Sequence, residues 1–521
     1  MKNFSFKRTL AAAGVLALLA GGAQAATWTQ LAHAAPGGTG IMMQLTDGTV
    51  MVKTGNAAWS RLSPSATGSY ANGTWTALAP MSTGRLYFAS QVLNDGRVFV
   101  LGGEYSGPSM SANWNNTGEI YNPLTNTWSP ILHHPESQYG DVPTMLLNGN
   151  KILAGSLSTG KSYIYDIAAN TWTASGTKVY ADQSDEETWM RLPDGRILTY
   201  DLFHSFQTGG SYAEAYNPTT GTWASVSPSD GTASGTIPQL SSNALGAELG
   251  PGLLLRRSGT AGKGLFVGAT GHTGVYDIAA NSWAAGPDLT GTLNGKQVTF
   301  GADDAPGAEM PSGHVLLAAD AGPASGTFSG PTLLFDYNPT TNTVAPVSPA
   351  FPNPSALTGS AFTMTMLVLP TGEILYQNGS TSLWVYTPDG TAPAASQPKV
   401  KKLNYDGSGK FTLTGTQLDG VSAGASYGDD NQMDENYPIV RLTDASGTVY
   451  YARTSNWSKV SVADATSQTV DFTLKSGTPA GNYSLVVSGA GVQSTPTCIT
   501  ITAKEASGTG AAKKVPLSAC Q

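Results

Sequence analysis

One phrase recurs along the chain and limits what it can fold into. Tyr121-Asn-Pro-Leu-Thr-Asn-Thr-Trp128, Tyr165-Asp-Ile-Ala-Ala-Asn-Thr-Trp172, Tyr216-Asn-Pro-Thr-Thr-Gly-Thr-Trp223 and Tyr276-Asp-Ile-Ala-Ala-Asn-Ser-Trp283 are copies of it, and Tyr337-Asn-Pro-Thr-Thr-Asn-Thr-Val344 is a weaker one. In each, a strand ending in Tyr meets a tight turn of Asn, Pro, Asp or Gly and then a strand carrying Trp, which is hairpin chemistry. A second hairpin lies upstream of most copies, in Leu93-Asn-Asp-Gly-Arg-Val-Phe-Val-Leu-Gly-Gly103, Leu192-Pro-Asp-Gly-Arg-Ile-Leu198 and Leu369-Pro-Thr-Gly-Glu-Ile-Leu375. Two hairpins make a four-stranded blade, and recurrence at roughly 45 to 60 residues predicts a closed β-propeller rather than an open solenoid. We count seven blades. The seventh has its strand through Trp384-Val-Tyr386, but no Trp strand follows Thr387-Pro-Asp-Gly390. Thr27-Trp28-Thr29-Gln30-Leu31 supplies the missing one, so the two ends of the propeller are predicted to pair and close the ring.

Composition supports this and removes other classes. With 62 Gly, 31 Pro and only 12% charged residues in 521, the chain is neither disordered, collagenous nor coiled coil. Lys plus Arg number 27 against 35 Asp plus Glu, a formal charge of -8, so nucleic acid is not an expected partner. Lys2, Lys7 and Arg8, the apolar stretch Leu10 to Ala20 and Ala23-Gln24-Ala25 spell an export signal over residues 1–25, with cleavage expected after Ala25. Losing those three cations takes the charge from -8 to -11. No later apolar run has the roughly 18 residues of a membrane span, so we expect no transmembrane anchor and a monomer in the periplasm or outside the cell.

The propeller is assigned to residues 26–390. A linker, Thr391-Ala-Pro-Ala-Ala-Ser-Gln-Pro398, leads to alternating strands over 399–503, among them Phe411-Thr-Leu-Thr-Gly415, Pro438-Ile-Val-Arg-Leu442 and Tyr483-Ser-Leu-Val-Val487, which suit an immunoglobulin-like sandwich. Residues 504–521 are expected to form a flexible tail. Export would let Cys498 and Cys520 bridge a loop, worth about 3 kcal/mol by chain entropy, although two free thiols remain an alternative. Tyr451-Ala-Arg-Thr454 with Asn456-Trp457 is expected to pack on the propeller, and His133-His134 to be a surface turn.

The stretch Arg85-Leu-Tyr87-Phe-Ala-Ser-Gln-Val-Leu-Asn-Asp-Gly96, followed by Gly102-Gly-Glu-Tyr-Ser-Gly107 and Gly118-Glu-Ile-Tyr-Asn-Pro123, resembles the corresponding blade of galactose oxidase and the glyoxal oxidases. The resemblance implies their layout, a seven-bladed kelch propeller followed by an early-set immunoglobulin-like domain. It also implies copper radical chemistry, which needs a tyrosine cross-linked to cysteine, a Tyr-His pair and a further histidine. Tyr87 occupies the radical-tyrosine position. Its thioether partner should lie near Thr39, but no cysteine precedes Cys498. Phe362-Thr363 stands where the Tyr-His pair belongs, and the last histidine falls near Gln432 in the acidic loop 427–437. Phe, Thr and Gln make no tight Cu(II) site, so copper is not expected.

Register arithmetic marks other residues. Tyr87 precedes its turn glycine Gly96 by the same offset that separates Glu186 from Gly195 and Asp304 from Gly313, and the count from Asn150 reaches Asp141. Glu248 begins the first strand of blade five. Equivalent offsets converge at one mouth of the central channel, so blades three to six should present carboxylates there, with Asp185, Glu187 and Asp303 deepening the negative potential. Such a ring can ligate Ca²⁺, through Asp141, Glu186 and Asp304, or accept hydrogen bonds from a sugar, with Tyr87 and Tyr105 as stacking surface. The expectation is a noncatalytic protein binding carbohydrate or another surface ligand. Two alternatives stand beside it: a carboxylate glycoside hydrolase, and a structural envelope protein whose acids only satisfy loop amides.

Overall fold

The computed structural model describes residues 26–255, 262–428 and 436–520. The expected export segment 1–25 and the acidic stretch 429–435 lie outside them. Seven sheets form the propeller, antiparallel except where Ser234–Gly235 runs parallel to Ser282–Ala285 in blade five, a further β-sandwich follows, and among the described residues no helix is long and apolar enough to cross a membrane. Thr27–Gln30 pairs with Trp384–Thr387, Trp28 lying opposite Tyr386, so blade seven is closed by the chain's early strand as predicted.

The recurring phrase has a physical explanation. In four blades the Tyr hydroxyl donates to the turn Asn five residues on, at 2.8 Å for Tyr121–Asn126, 2.7 Å for Tyr165–Asn170, 2.8 Å for Tyr276–Asn281 and 3.0 Å for Tyr337–Asn342. These Asn residues have φ between 47° and 53°, a left-handed conformation that Asn tolerates better than most residues. In three blades the Trp indole then staples the blade to chain leading in from the previous one: Trp128 Nε1 donates to Ala79 O (2.8 Å), Trp172 Nε1 to Leu132 O (2.9 Å) and Trp283 Nε1 to Val226 O (2.8 Å). Blade four has Gly221 at the Asn position, and Tyr216 turns instead to Ser175 Oγ at 2.6 Å.

The second domain is strapped to the propeller. Thr454 N donates to Thr46 O (3.0 Å), Asn456 N to Asn94 O (2.7 Å), and Arg453 pairs with Asp47 at 3.0 Å, so the segment expected to pack there does so. The hydrophobic core of blades one to three runs on into the sandwich through Tyr437 and Trp457, whose rings stack at 5.3 Å.

Two expectations need correction. The tail is not a loose end: Lys513–Val515 pairs with Lys399–Tyr405, Ser518–Ala519 pairs with Thr497–Ile501, and Cys498 is bonded to Cys520. Val515 is buried, and that apolar anchor outweighs the Gly- and Ala-rich composition before it. His134 is not on the surface either. It is 2% exposed, with its ring 4.6 to 4.8 Å from those of Tyr139, Tyr163 and Trp172. Burial pushes its imidazole down to about 3, so it is a neutral packing group.

Candidate functional site at the propeller mouth

The common register has a common backbone. Tyr87, Asp141, Glu186 and Asp304 have φ of 50°, 49°, 57° and 50°. A left-handed conformation costs a side-chain-bearing residue about 1–2 kcal/mol, so four equivalent instances are over-determined by the surrounding structure. Each stands where chain from the preceding blade turns into an innermost strand. Glu248, immediately before strand Leu249–Leu255, reaches the same mouth from blade five.

These positions bring the acids together. Asp141, Asp185 and Glu186 each offer an oxygen within 4.8 Å of the others, and so do Glu186, Glu248 and Asp304. Glu186 belongs to both triads, which makes one arc across blades three to six. Tyr87 and Tyr105 extend it, with their rings 5.9 Å apart and inclined at 64°. The Tyr105 phenol is raised, first by the charge of Glu104, then by burial, and further by Asp141 and Glu186, so the aromatic pair lies in the field of the acids. Arg85 braces this side: its guanidinium is buried and donates to Gly102 O (2.6 Å) and Thr117 O (2.8 Å), at the two ends of the loop that carries Tyr105.

Chain from the sandwich fills the axis beneath the arc. Ala425–Ser426 adds a fifth strand to blade six against Gly307–Glu309. Tyr427 donates to Phe362 O at 2.5 Å, and Thr188 Oγ1 reaches the carbonyls of Gly250, at 2.8 Å, and Gly428. A Cβ on Gly428 would stand 3.6 Å from Asp304 Oδ1, which places the last described residue of this segment at the arc itself. The position near Gln432 lies beyond it, outside the described residues.

Two expected members belong elsewhere. Glu187 is fully buried and turns to Lys178, at 2.6 Å, rather than to the mouth. Asp303 is also fully buried; it accepts from Phe328 N at 2.6 Å and faces Asp320. The sequence reading missed the partners. Around Lys178 stand Asp182 (2.9 Å), Asp201 (3.1 Å) and Glu214 (4.0 Å) besides Glu187. One ammonium cannot keep four carboxylates ionised: burial pushes Glu187 up to about 8 and Glu214 up to about 10, whereas Asp201 stays below its ordinary value and Lys178 well above its own. Acids closing otherwise apolar strands, as in Ile-Leu-Thr-Tyr-Asp201 and Val-Leu-Leu-Ala-Ala-Asp320, are the signal that could have found this layer.

Known proteins resemble parts of this architecture. A family profile described as the kelch motif matches residues 85–131, which is blade two. An F-box/kelch-repeat protein of Arabidopsis thaliana is 50% identical over 48 residues, 9% of this chain and 13% of that protein, so the chain spans only a small part of the curated relative it matches. Among solved structures, a fungal alcohol oxidase of the AA5 family, in complex with copper, aligns at 16% identity and a TM-score of 0.34, covering 89% of this chain and 85% of its own. YCF48 bound to D1 peptide aligns at 14% identity and a TM-score of 0.43, covering 71% and 97%.

Proposed function

We propose that the protein is an exported, noncatalytic binding protein that takes a carbohydrate or another surface ligand at the acidic mouth, with Ca²⁺ as a bridging cation. A propeller carrying a kelch motif suits a binding role, and fold alone goes no further. The observation that carries the finer reading is the pair of carboxylate triads sharing Glu186, built on residues held in the same left-handed conformation. Oxygen-rich clusters suit a hard cation whose remaining positions sugar hydroxyls can fill, and Tyr87 with Tyr105 offers a ring face beside it.

Copper radical oxidation does not suit these residues. Both cysteines are bonded to each other in the sandwich, which leaves no thiol for Tyr87, and Phe362 packs its ring 5.1 Å from that of Phe328 where an imidazole neighbour would be needed.

The test is Glu186→Ala combined with Asp304→Ala, followed by calorimetry with Ca²⁺ and a glycan panel. Loss of binding with an unchanged melting temperature is the expected result, and binding as in the wild type defeats the reading. Turnover in a broad hydrolase and oxidase screen would replace it with an enzyme, since carboxylates this close can also act as an acid and nucleophile pair. Affinity for neither metal nor glycan would favour a structural role.

A further inference from the structure

Lys178 lies beneath the mouth and does not belong to it. It opens the connection between the outer strand of blade three, Thr171–Thr177, and the innermost strand of blade four, Trp189–Arg191, and this connection carries Asp185 and Glu186. The Lys178 side chain is fully buried. Its ammonium donates to three groups of its own loop, Asp182 Oδ1 (2.9 Å), Gln183 O (2.9 Å) and Glu187 Oε1 (2.6 Å), and crosses to Asp201 at 3.1 Å in blade four.

From these contacts the geometry leads directly to the mouth. Gln183, whose carbonyl Lys178 holds, donates through its own side chain to Asp185 Oδ2 at 3.3 Å. Glu187 is held from both sides, by Lys178 and by Trp189 Nε1 at 3.2 Å, and Glu186 lies between these two fixed neighbours. Asp201 also accepts from His204 N at 3.0 Å, capping the helix Leu202–Thr208, so the same cation ties the loop to blade four's own rim. Packing alone does not explain it, because a buried ammonium is costly and apolar residues in place of the whole cluster would fill the space without that cost.

We propose that Lys178 is a positioning residue for the mouth: by holding Asp182, Gln183 and Glu187 together it fixes Asp185 and Glu186 where they meet Asp141, Glu248 and Asp304. The inference rests on the reading of the mouth as the binding site, and its test separates the two. Full-length wild type, Lys178→Met, Asp182→Asn and Glu186→Gln are compared by amide hydrogen exchange and by calorimetry with Ca²⁺ alone. Lys178→Met should raise exchange over residues 182–188 at least tenfold more than in the strands of blade two, and should weaken Ca²⁺ binding at least tenfold. Asp182→Asn, which removes one contact of the lysine, should move both readouts in the same direction by less, and it decides the matter if Lys178→Met does not fold. Glu186→Gln should weaken Ca²⁺ binding without altering exchange. Exchange that is unchanged over 182–188, or that rises evenly across blades three and four, overturns the positioning role. Selective exchange in a protein whose wild type takes no Ca²⁺ upholds that role and removes the mouth reading instead.

Discussion

Blades four and six mount their mouth acids on similar supports but balance the charge below them differently. In blade four, Glu186 is followed by buried Glu187, and the strand Ile197–Asp201 ends in an aspartate that caps a helix. In blade six, Asp304 is preceded by buried Asp303, and Val315–Asp320 ends in an aspartate whose Oδ1 accepts from Gly322 N at 2.8 Å, where Gly322–Ser325 begins. Blade four's acids are met by Lys178, from the connection that leads in from blade three. Blade six supplies no cation to its pair among the described residues: burial and the charge of Asp320 push Asp303 up to about 8, and no hydrogen-bond donor reaches its Oδ1. The lesson is that blade four combines a fixed cation with bound protons where blade six relies on a proton alone, and only the cation's part is independent of the solution.

The largest test of this contrast is Lys178→Met, which strands buried carboxylates without their cation. It should cost about 3–5 kcal/mol in urea unfolding at pH 7. Next comes Asp320→Ala. It removes the acceptor of Gly322 N, Ser360 Oγ and Ala361 N, and a loss of about 2–3 kcal/mol is expected from the same measurement. A loss in Lys178→Met no larger than in Asp320→Ala would break the comparison.

The pH dependence sharpens it. Asp303 and Glu187 are both raised to about 8, so the folded chain keeps protons that the unfolded chain releases near pH 4. Their contribution to stability is fully present below pH 4 and is lost as the pH rises through about 8. Asp303→Asn should flatten urea stability between pH 5 and 8 by up to about 1.4 kcal/mol per pH unit, leaving the slope that belongs to the other raised acids, Glu187 and Glu214 among them. An unchanged slope would show that Asp303 holds no proton in this range. The smallest effect is expected from the same variant at pH 5, where an amide replaces a carboxyl that is already neutral: less than about 1 kcal/mol.

The parts of the molecule that were legible in advance are those governed by repetition. The Tyr, Asn and Trp of each copy are bonded to one another or to the neighbouring blade, so their spacing carries the architecture. The offset from the turn, a glycine for Tyr87, Glu186 and Asp304 and Asn150 for Asp141, located these residues because equivalent positions share a backbone conformation. Which neighbour of a mouth acid would be buried was not legible, since it is the following residue in Glu186-Glu187 and the preceding one in Asp303-Asp304. That choice depends on what lies across the blade boundary. Lys178 looks like any strand-end lysine until Asp201 and Glu214, from another blade, are placed around it. The tail misled for a different reason: its composition is that of a linker, and it is held in place by the burial of Val515, two strand pairings and the bond to Cys520, which composition does not show.

The pairing of Thr27–Gln30 with Trp384–Thr387 sets the order of events during biosynthesis. The earliest described strand leaves the ribosome long before its mate, so the last blade stays incomplete through nearly the whole synthesis of the propeller. Its unpaired backbone is an invitation to other chains for all that time. Ring closure is therefore a zip between the oldest and the youngest parts of the propeller, and a pause in translation shortly before Trp384 would prolong the time for which that backbone stays unpaired.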